Sequence, residues 1–353
     1  MARRFETQDF FSGRIWGGRV YPPATYVMLW PFIAASTIPV ARWTSAAILT
    51  ASLAWICVVC GRASGFPDPL ARLAMGLMPL GFLATSAALR TGQLTLAVLA
   101  MLFAFLGRLA RRPRSQGDEW AAAVLFTIAS LKPTLNAPVG WLLLFLPRSF
   151  RPAMLAAGLY AGLTGLALAI RRAPEEYSMS SQRPDIPFEE TMFAGGYANV
   201  QNWLVQLGIG VPWMLLPPII ALAALGWWTW RHRADDPWVL FGVACLVARL
   251  AFYHRIYDDL LVLPAMVALA RLASGASVAV ETPVGGRVET AAEIPTAALW
   301  TLLASAFVML MPASLPTTLR IVASTGAWWA TLSLLLVAAT RSPRCREGDD
   351  SRC

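Results

Sequence analysis

The sequence predicts an all-α protein: a polytopic bundle of transmembrane helices forming a single integral membrane domain over residues 1–353. Three observations predict it. Of the 353 residues, 57% are hydrophobic and only 14% are charged, against roughly a quarter charged in a soluble domain. The apolar residues fall in long runs, with a mean hydropathy of +0.56. The fifteen tryptophans suit interfacial belts at helix ends, and Trp227, Trp228 and Trp230 are grouped that way.

The opening stretch, Met-Ala-Arg-Arg-Phe-Glu-Thr-Gln-Asp, is polar and has no apolar core of the kind a signal peptide carries. Apolar runs then predict spans at 24–41, 43–61, 70–90, 92–110, 120–131, 135–147, 152–170, 212–230, 237–252, 257–273, 296–313 and 317–339. That makes about 10–12 membrane helices, short and broken ones included. Pro31 and Pro39 let the first run either cross or dip into one leaflet. The runs on either side of Lys132-Pro133 are shorter than the roughly 20 residues of a full crossing. Pro133 lacks a backbone N–H and disfavours helix at Lys132, so the chain breaks there. Such a break at membrane depth survives only in a protein interior or beside a cavity.

Arginine placement orients the spans. Arg108, Arg111, Arg112 and Arg114 mark one cytoplasmic loop, Arg148 and Arg151 another, Arg231 and Arg233 a third; Arg341, Arg344, Arg346 and Arg352 fill the tail. Counting from these anchors places a flexible linker at 274–295 and the tail 340–353 in the cytoplasm. Thr91-Gly92-Gln93, the Lys132 turn, the polar loop 171–211 and the segment Tyr253 to Asp259 all fall on the opposite face. Tyr21-Pro22-Pro23 joins them only if the first run does not cross. The formal charge of +9 is therefore loop charge. No basic stripe is interleaved with exposed aromatics, which argues against a nucleic-acid partner. The five cysteines show neither convincing pairing nor metal-ligand spacing.

The segment Arg249-Leu-Ala-Phe-Tyr-His-Arg-Ile-Tyr-Asp-Asp259 packs seven polar groups between two apolar runs. Ionisable groups at that depth are costly and point to a functional site. Arg249, His254, Arg255, Tyr257, Asp258 and Asp259 are candidates there, suited to acid–base work on an anionic substrate. Asp258 and Asp259 serve as base, as sugar-hydroxyl acceptors or as helix N-caps. Lys132, the single lysine of the chain, either holds a phosphate as a point charge or snorkels to the interface. Gln93 opens a helix. Asn199 begins Asn-Val-Gln-Asn-Trp-Leu-Val-Gln-Leu-Gly, whose two faces alternate as in an interfacial helix.

Tyr21-Pro22-Pro23, Gly92-Gln93, Leu131-Lys132-Pro133, Tyr253-His254-Arg255 and Tyr257-Asp258, in that order, resemble the GT-C membrane glycosyltransferases, and glycosyltransferase family 87 most closely. The resemblance runs from about Tyr21 to Arg271. It implies transfer of a hexose or pentose, mannose first, from a polyprenyl-phosphate donor to a cell-envelope glycan or lipid acceptor. Transfer would be extracytoplasmic and inverting, in the bacterial plasma membrane. A phosphate leaving group requires neither metal nor cofactor. In the family an initial helix and an acidic external loop precede the Tyr-Pro-Pro motif. This sequence departs from that pattern, and Asp9 is the acid it offers upstream of Tyr21. The resemblance thus implies Asp9 as base with Asp258 second, Lys132, Arg249 and Arg255 converging on the lipid phosphate, and His254, Tyr257, Asp259, Gln93, Asn199 and Tyr21 lining the substrates. A transporter or lipid flippase is the competing class, because it too places charges in a membrane cavity.

Overall fold

The computed structural model describes residues 22–33, 37–111, 113–170, 199–208, 213, 216–252, 254–276, 293–312 and 314–341. These form helices throughout: α1 (Pro23–Ile33), α2 (Ile38–Ala63), α3 (Pro69–Gly81), α4 (Leu83–Thr91), α5 (Thr95–Leu109), α6 (Gln116–Ala129), α7 (Pro133–Asn136), α8 (Gly140–Phe145), α9 (Phe150–Ile170), α10 (Val200–Gln206), α11 (Leu216–Arg231), α12 (Pro237–Ala251), α13 (Val262–Ala273), α14 (Glu293–Met309) and α15 (Thr317–Arg341). A 3-10 segment, Ile256–Leu261, leads directly into α13.

Long helices lie outside and short ones inside. Pro39–Ala63, Phe150–Ile170 and Thr317–Thr340 are long and apolar enough to cross a membrane. They expose large apolar side chains, among them Trp43, Trp55, Leu168 and Val322, for which lipid is the fitting solvent. By contrast α5 and α12 have 15 residues each and α13 has 12, about 22 and 18 Å at 1.5 Å per residue. Leu260 to Ala270 of the 3-10 segment and α13 are buried without a break. A helix apolar all round belongs at the centre of a bundle. Gly242 of α12 permits the close approach of α13: a Cβ there would stand 2.9 Å from the Ala265 Cα.

One expected span is broken. The run 70–90 forms two helices, α3 and α4, bent by 48°. Pro79 lies inside α3, and Phe82 turns to extended backbone at φ −74, ψ 134. The Thr85 hydroxyl then donates to the Pro79 carbonyl at 2.6 Å, satisfying an acceptor that the interrupted helix leaves over.

The polar groups sort to two ends of the bundle. At one end Arg271 donates from Nε to Asp236 (2.9 Å) and from Nη1 to the Ala63 carbonyl (3.3 Å), tying α13, α12 and α2 together. The same end carries Arg108 and Arg111 on Asp118, each at 3.1 Å, and Arg151 on Glu119 at 3.2 Å. The Ser115 hydroxyl, then Arg108, hold the Asp118 carboxyl well below the usual carboxylate range. At the other end lie the start of α5, the Lys132 turn and the 3-10 segment.

Helix α1 is short. Its 11 residues span about 16 Å. The Thr25 hydroxyl in its first turn donates to the Leu131 carbonyl at 3.2 Å, beside Lys132. From its far side the 26-residue α2 runs to the Arg271 end. Pro22 therefore stands at the Lys132 end.

Candidate functional site

The Lys132 turn follows from its sequence. Helix α6 ends at Ala129, and Pro133 cannot prolong it, so Lys132 takes up φ −126, ψ 83 as N-cap of α7. This aims the only lysine of the chain inward, with its side chain 12% exposed. Its Nζ lies 2.5 Å from Asp258 Oδ1 and 3.1 Å from Thr95 Oγ1. The Tyr257 ring lies 4.7 Å away as a cation–π partner. The three donors of an ammonium thus meet a carboxylate, a hydroxyl and a π face.

Asp258 is the hub. Oδ1 accepts from Lys132 and from the Thr95 hydroxyl (2.7 Å). Oδ2 faces His254 Nδ1 at 3.2 Å and accepts the Arg255 backbone N–H at 3.2 Å. His254 Nε2 lies 2.8 Å from the Ala248 carbonyl, which can only accept. Both ring nitrogens thus lie within hydrogen-bond distance of an oxygen, which fixes the ring between Asp258 and the end of α12. His254 is fully buried and Asp258 is 2% exposed.

Asp259, one residue on, turns to other partners. Its Oδ1 lies 2.6 Å from both Nε and Nη2 of Arg249, and the Nε contact has hydrogen-bond geometry. Arg249 is fully buried, with its guanidinium 4.5 Å from the Trp328 ring centroid. Its Nη1 has no hydrogen-bond partner among the described residues.

The structure thus gathers Lys132, His254, Tyr257 and Asp258 into one cluster and sets Asp259 with Arg249 beside it. It corrects one expectation. Arg249 and Arg255 do not converge on one phosphate: α12 ends at Ala251, leaving Arg249 buried behind Asp259 while Arg255 is exposed. Asp258 is engaged by Lys132, the Thr95 hydroxyl, His254 and the Arg255 backbone N–H. Gln93 is half-buried at the head of α5, where Gly92 at φ 66 closes α4 and the Gln93 N–H donates to the Ala88 carbonyl at 2.9 Å. Asn199 is buried at the start of α10. Asp9, Tyr21 and Tyr253 lie outside the described residues.

Sequence reasoning missed Thr95, Arg320 and Trp328. A threonine opening an apolar helix has no signature of its own; only its place two residues after Gly92-Gln93 hinted at it. Among the described residues no group of His, Cys, Asp and Glu is arranged to hold a metal.

Set together, the buried charges balance, Lys132 against Asp258 and Arg249 against Asp259, with the exposed Arg255 beside them. The ammonium and the exposed guanidinium at this end suit stabilisation of negative charge developing on an oxygen. A family model described as glycosyltransferase family 87 matches residues 20–264. Neither a curated protein nor a solved structure matches the chain.

Proposed function

Because this chain belongs to glycosyltransferase family 87 and is a membrane glycosyltransferase, we propose that it transfers a hexose or pentose, mannose first, from a polyprenyl-phosphate donor to a cell-envelope glycan or lipid. Transfer inverts the anomeric centre and takes place outside the cytoplasm, at the Lys132 end of the bundle. The protein is placed in the bacterial plasma membrane with its Arg271 end, the 274–295 linker and the tail inside.

One observation supports this reading above the others. The motif residues from four separate parts of the chain (Pro22 with Thr25, Gly92-Gln93, Leu131-Lys132 and His254 to Asp258) meet at one end, whereas the arginine-rich loops meet at the other. In the proposed reaction, Arg255 and the Lys132 ammonium stabilise the phosphate as the glycosidic C–O bond breaks and an oxocarbenium-like state forms. Asp258 positions Lys132 and His254. The acceptor hydroxyl gives its proton to a carboxylate; with Asp258 occupied, that role falls to Asp9. His254, Tyr257, Asn199 and Gln93 orient the sugar.

The test is donor choice. The purified protein in proteoliposomes should form a glycosidic bond from a short-chain prenyl-phosphate mannose and not from a nucleotide sugar. Transfer from the nucleotide sugar alone would refute the proposed donor.

A further inference from the structure

Asp258 and Asp259 are neighbours on one 3-10 segment, so neither carboxylate turns without the other. Asp258 faces Lys132, Thr95 and His254, whereas Asp259 faces Arg249. Whatever holds Asp259 therefore sets the rotation at which Asp258 meets Lys132.

Arg249 holds Asp259, and Arg249 itself needs support. It is fully buried, and its Nη1 has no hydrogen-bond partner among the described residues. A buried guanidinium with a donor left over is costly unless something else compensates it. The compensating group is the Trp328 ring, whose centroid lies 4.5 Å from the guanidinium carbon. An aromatic face attracts a cation most strongly where water is excluded, and tryptophan offers the strongest such face. Trp328 and Arg249 are the two largest fully buried side chains among the described residues. Packed at interior density, such a stack leaves neither partner room to swing. The indole Nε1 of Trp328 is buried without a hydrogen-bond partner, so it is the ring face that serves this contact. Arg320, roughly two turns before Trp328 on α15, adds a second positive charge within reach of Asp259.

We infer that Trp328 is a positioning residue: stacked on Arg249, it fixes the Arg249–Asp259 pair, and through that pair the rotation of the 3-10 segment that brings Asp258 to Lys132. Its bearing on glycosyl transfer rests on the function proposed above. Trp328 lies on α15, beyond residue 264 where the family match ends, so a helix outside the matched region completes the site.

The chain has a single lysine. Acetylation of Lys132 by acetic anhydride, followed by mass spectrometry of its peptide in the full-length protein, therefore reports the Lys132–Asp258 contact without any assay of transfer. Trp328→Met, with gel filtration to check folding, should acetylate about tenfold faster, as expected for loss of one desolvated cation–π contact. Trp328→Phe keeps a ring face and should stay close to the unmodified rate. The double variant Arg249→Met/Asp259→Leu removes the pair without leaving an unpaired charge. It should label like Trp328→Met, and it decides the matter if Trp328→Met does not fold. Thr331→Val is the control: it removes the hydroxyl that meets Ser305 of α14 at 3.0 Å, and should lower the melting temperature with Lys132 labelling unchanged. In transfer kinetics, Trp328→Met should lower kcat about tenfold with the donor KM unchanged, because the ring acts through Arg249. Labelling of Lys132 that ignores Trp328→Met, that rises equally in Trp328→Phe, or that rises equally in Thr331→Val overturns the positioning role. A raised donor KM with kcat unchanged makes Trp328 a substrate contact and also overturns it. Absence of glycosyl transfer by the unmodified protein, with Lys132 labelling still dependent on Trp328, defeats the proposed function and leaves the positioning of Lys132 standing.

Discussion

Lys132 and Asp258 stand 2.5 Å apart across 126 residues of sequence, and this contact joins the α6–α7 turn to the 3-10 segment that leads into the central helix α13. Both side chains are largely buried. The pair therefore holds the bundle together at the end where the proposed chemistry takes place.

Removing one partner leaves the other charged and buried, which costs about 3–5 kcal/mol. Lys132→Met and Asp258→Leu should each lower thermal stability in detergent by that order. The double variant should be less destabilised than the sum of the two. Strict additivity in the double-mutant cycle would show that the two groups do not interact.

Thr95 both accepts from Lys132 and donates to Asp258. Thr95→Val keeps the shape and removes the hydroxyl, leaving two charged groups short of a partner, at about 1–3 kcal/mol. Thr95→Ser should retain most of the stability and of the transfer rate. Equal behaviour of the two variants by thermal melting would remove Thr95 from the cluster.

Two glycines should respond with opposite sign. Gly242→Ala puts a Cβ at 2.9 Å from the Ala265 Cα, so α12 and α13 must part, at about 1–3 kcal/mol. Gly107→Ala, in α5, has nothing within 4 Å and should gain about 0.5–1 kcal/mol from a stiffer unfolded chain. Melting temperatures of the two variants decide.

Topology is tested by single cysteines in a cysteine-free background. A cysteine at position 185 should react with an impermeant maleimide in intact cells, and one at position 342 only after lysis. The reverse pattern would put the Lys132 end in the cytoplasm.

Much of this architecture is legible in the sequence because apolar runs and proline are strong signals. The helices, the break at Lys132-Pro133 and the separation of arginine loops from the motif residues all follow from them. The bend at Phe82 escapes because the apolar run continues through it, and only Pro79 hints at it. The divergence of Asp258 and Asp259 escapes for a geometric reason. In a 3-10 segment successive residues point about 120° apart, so one aspartate faces Lys132 and the other Arg249. A reading that treats the two as one acidic pair cannot separate their partners. The stack of Trp328 on Arg249 escapes because α15 carries no motif, so only the fold brings the two residues together.

The most direct measurement is radiolabelled sugar transfer from a prenyl-phosphate sugar by the purified protein and two variants at opposite ends of the bundle. Arg255→Ala should lose about 2–4 kcal/mol of transition-state stabilisation, on the order of 10²–10³-fold in rate. Arg231→Ala, at the arginine-rich end, should transfer at the normal rate. Absence of a glycosidic product with the unmodified protein, or equal losses in the two variants, would contradict a transferase site at the Lys132 end.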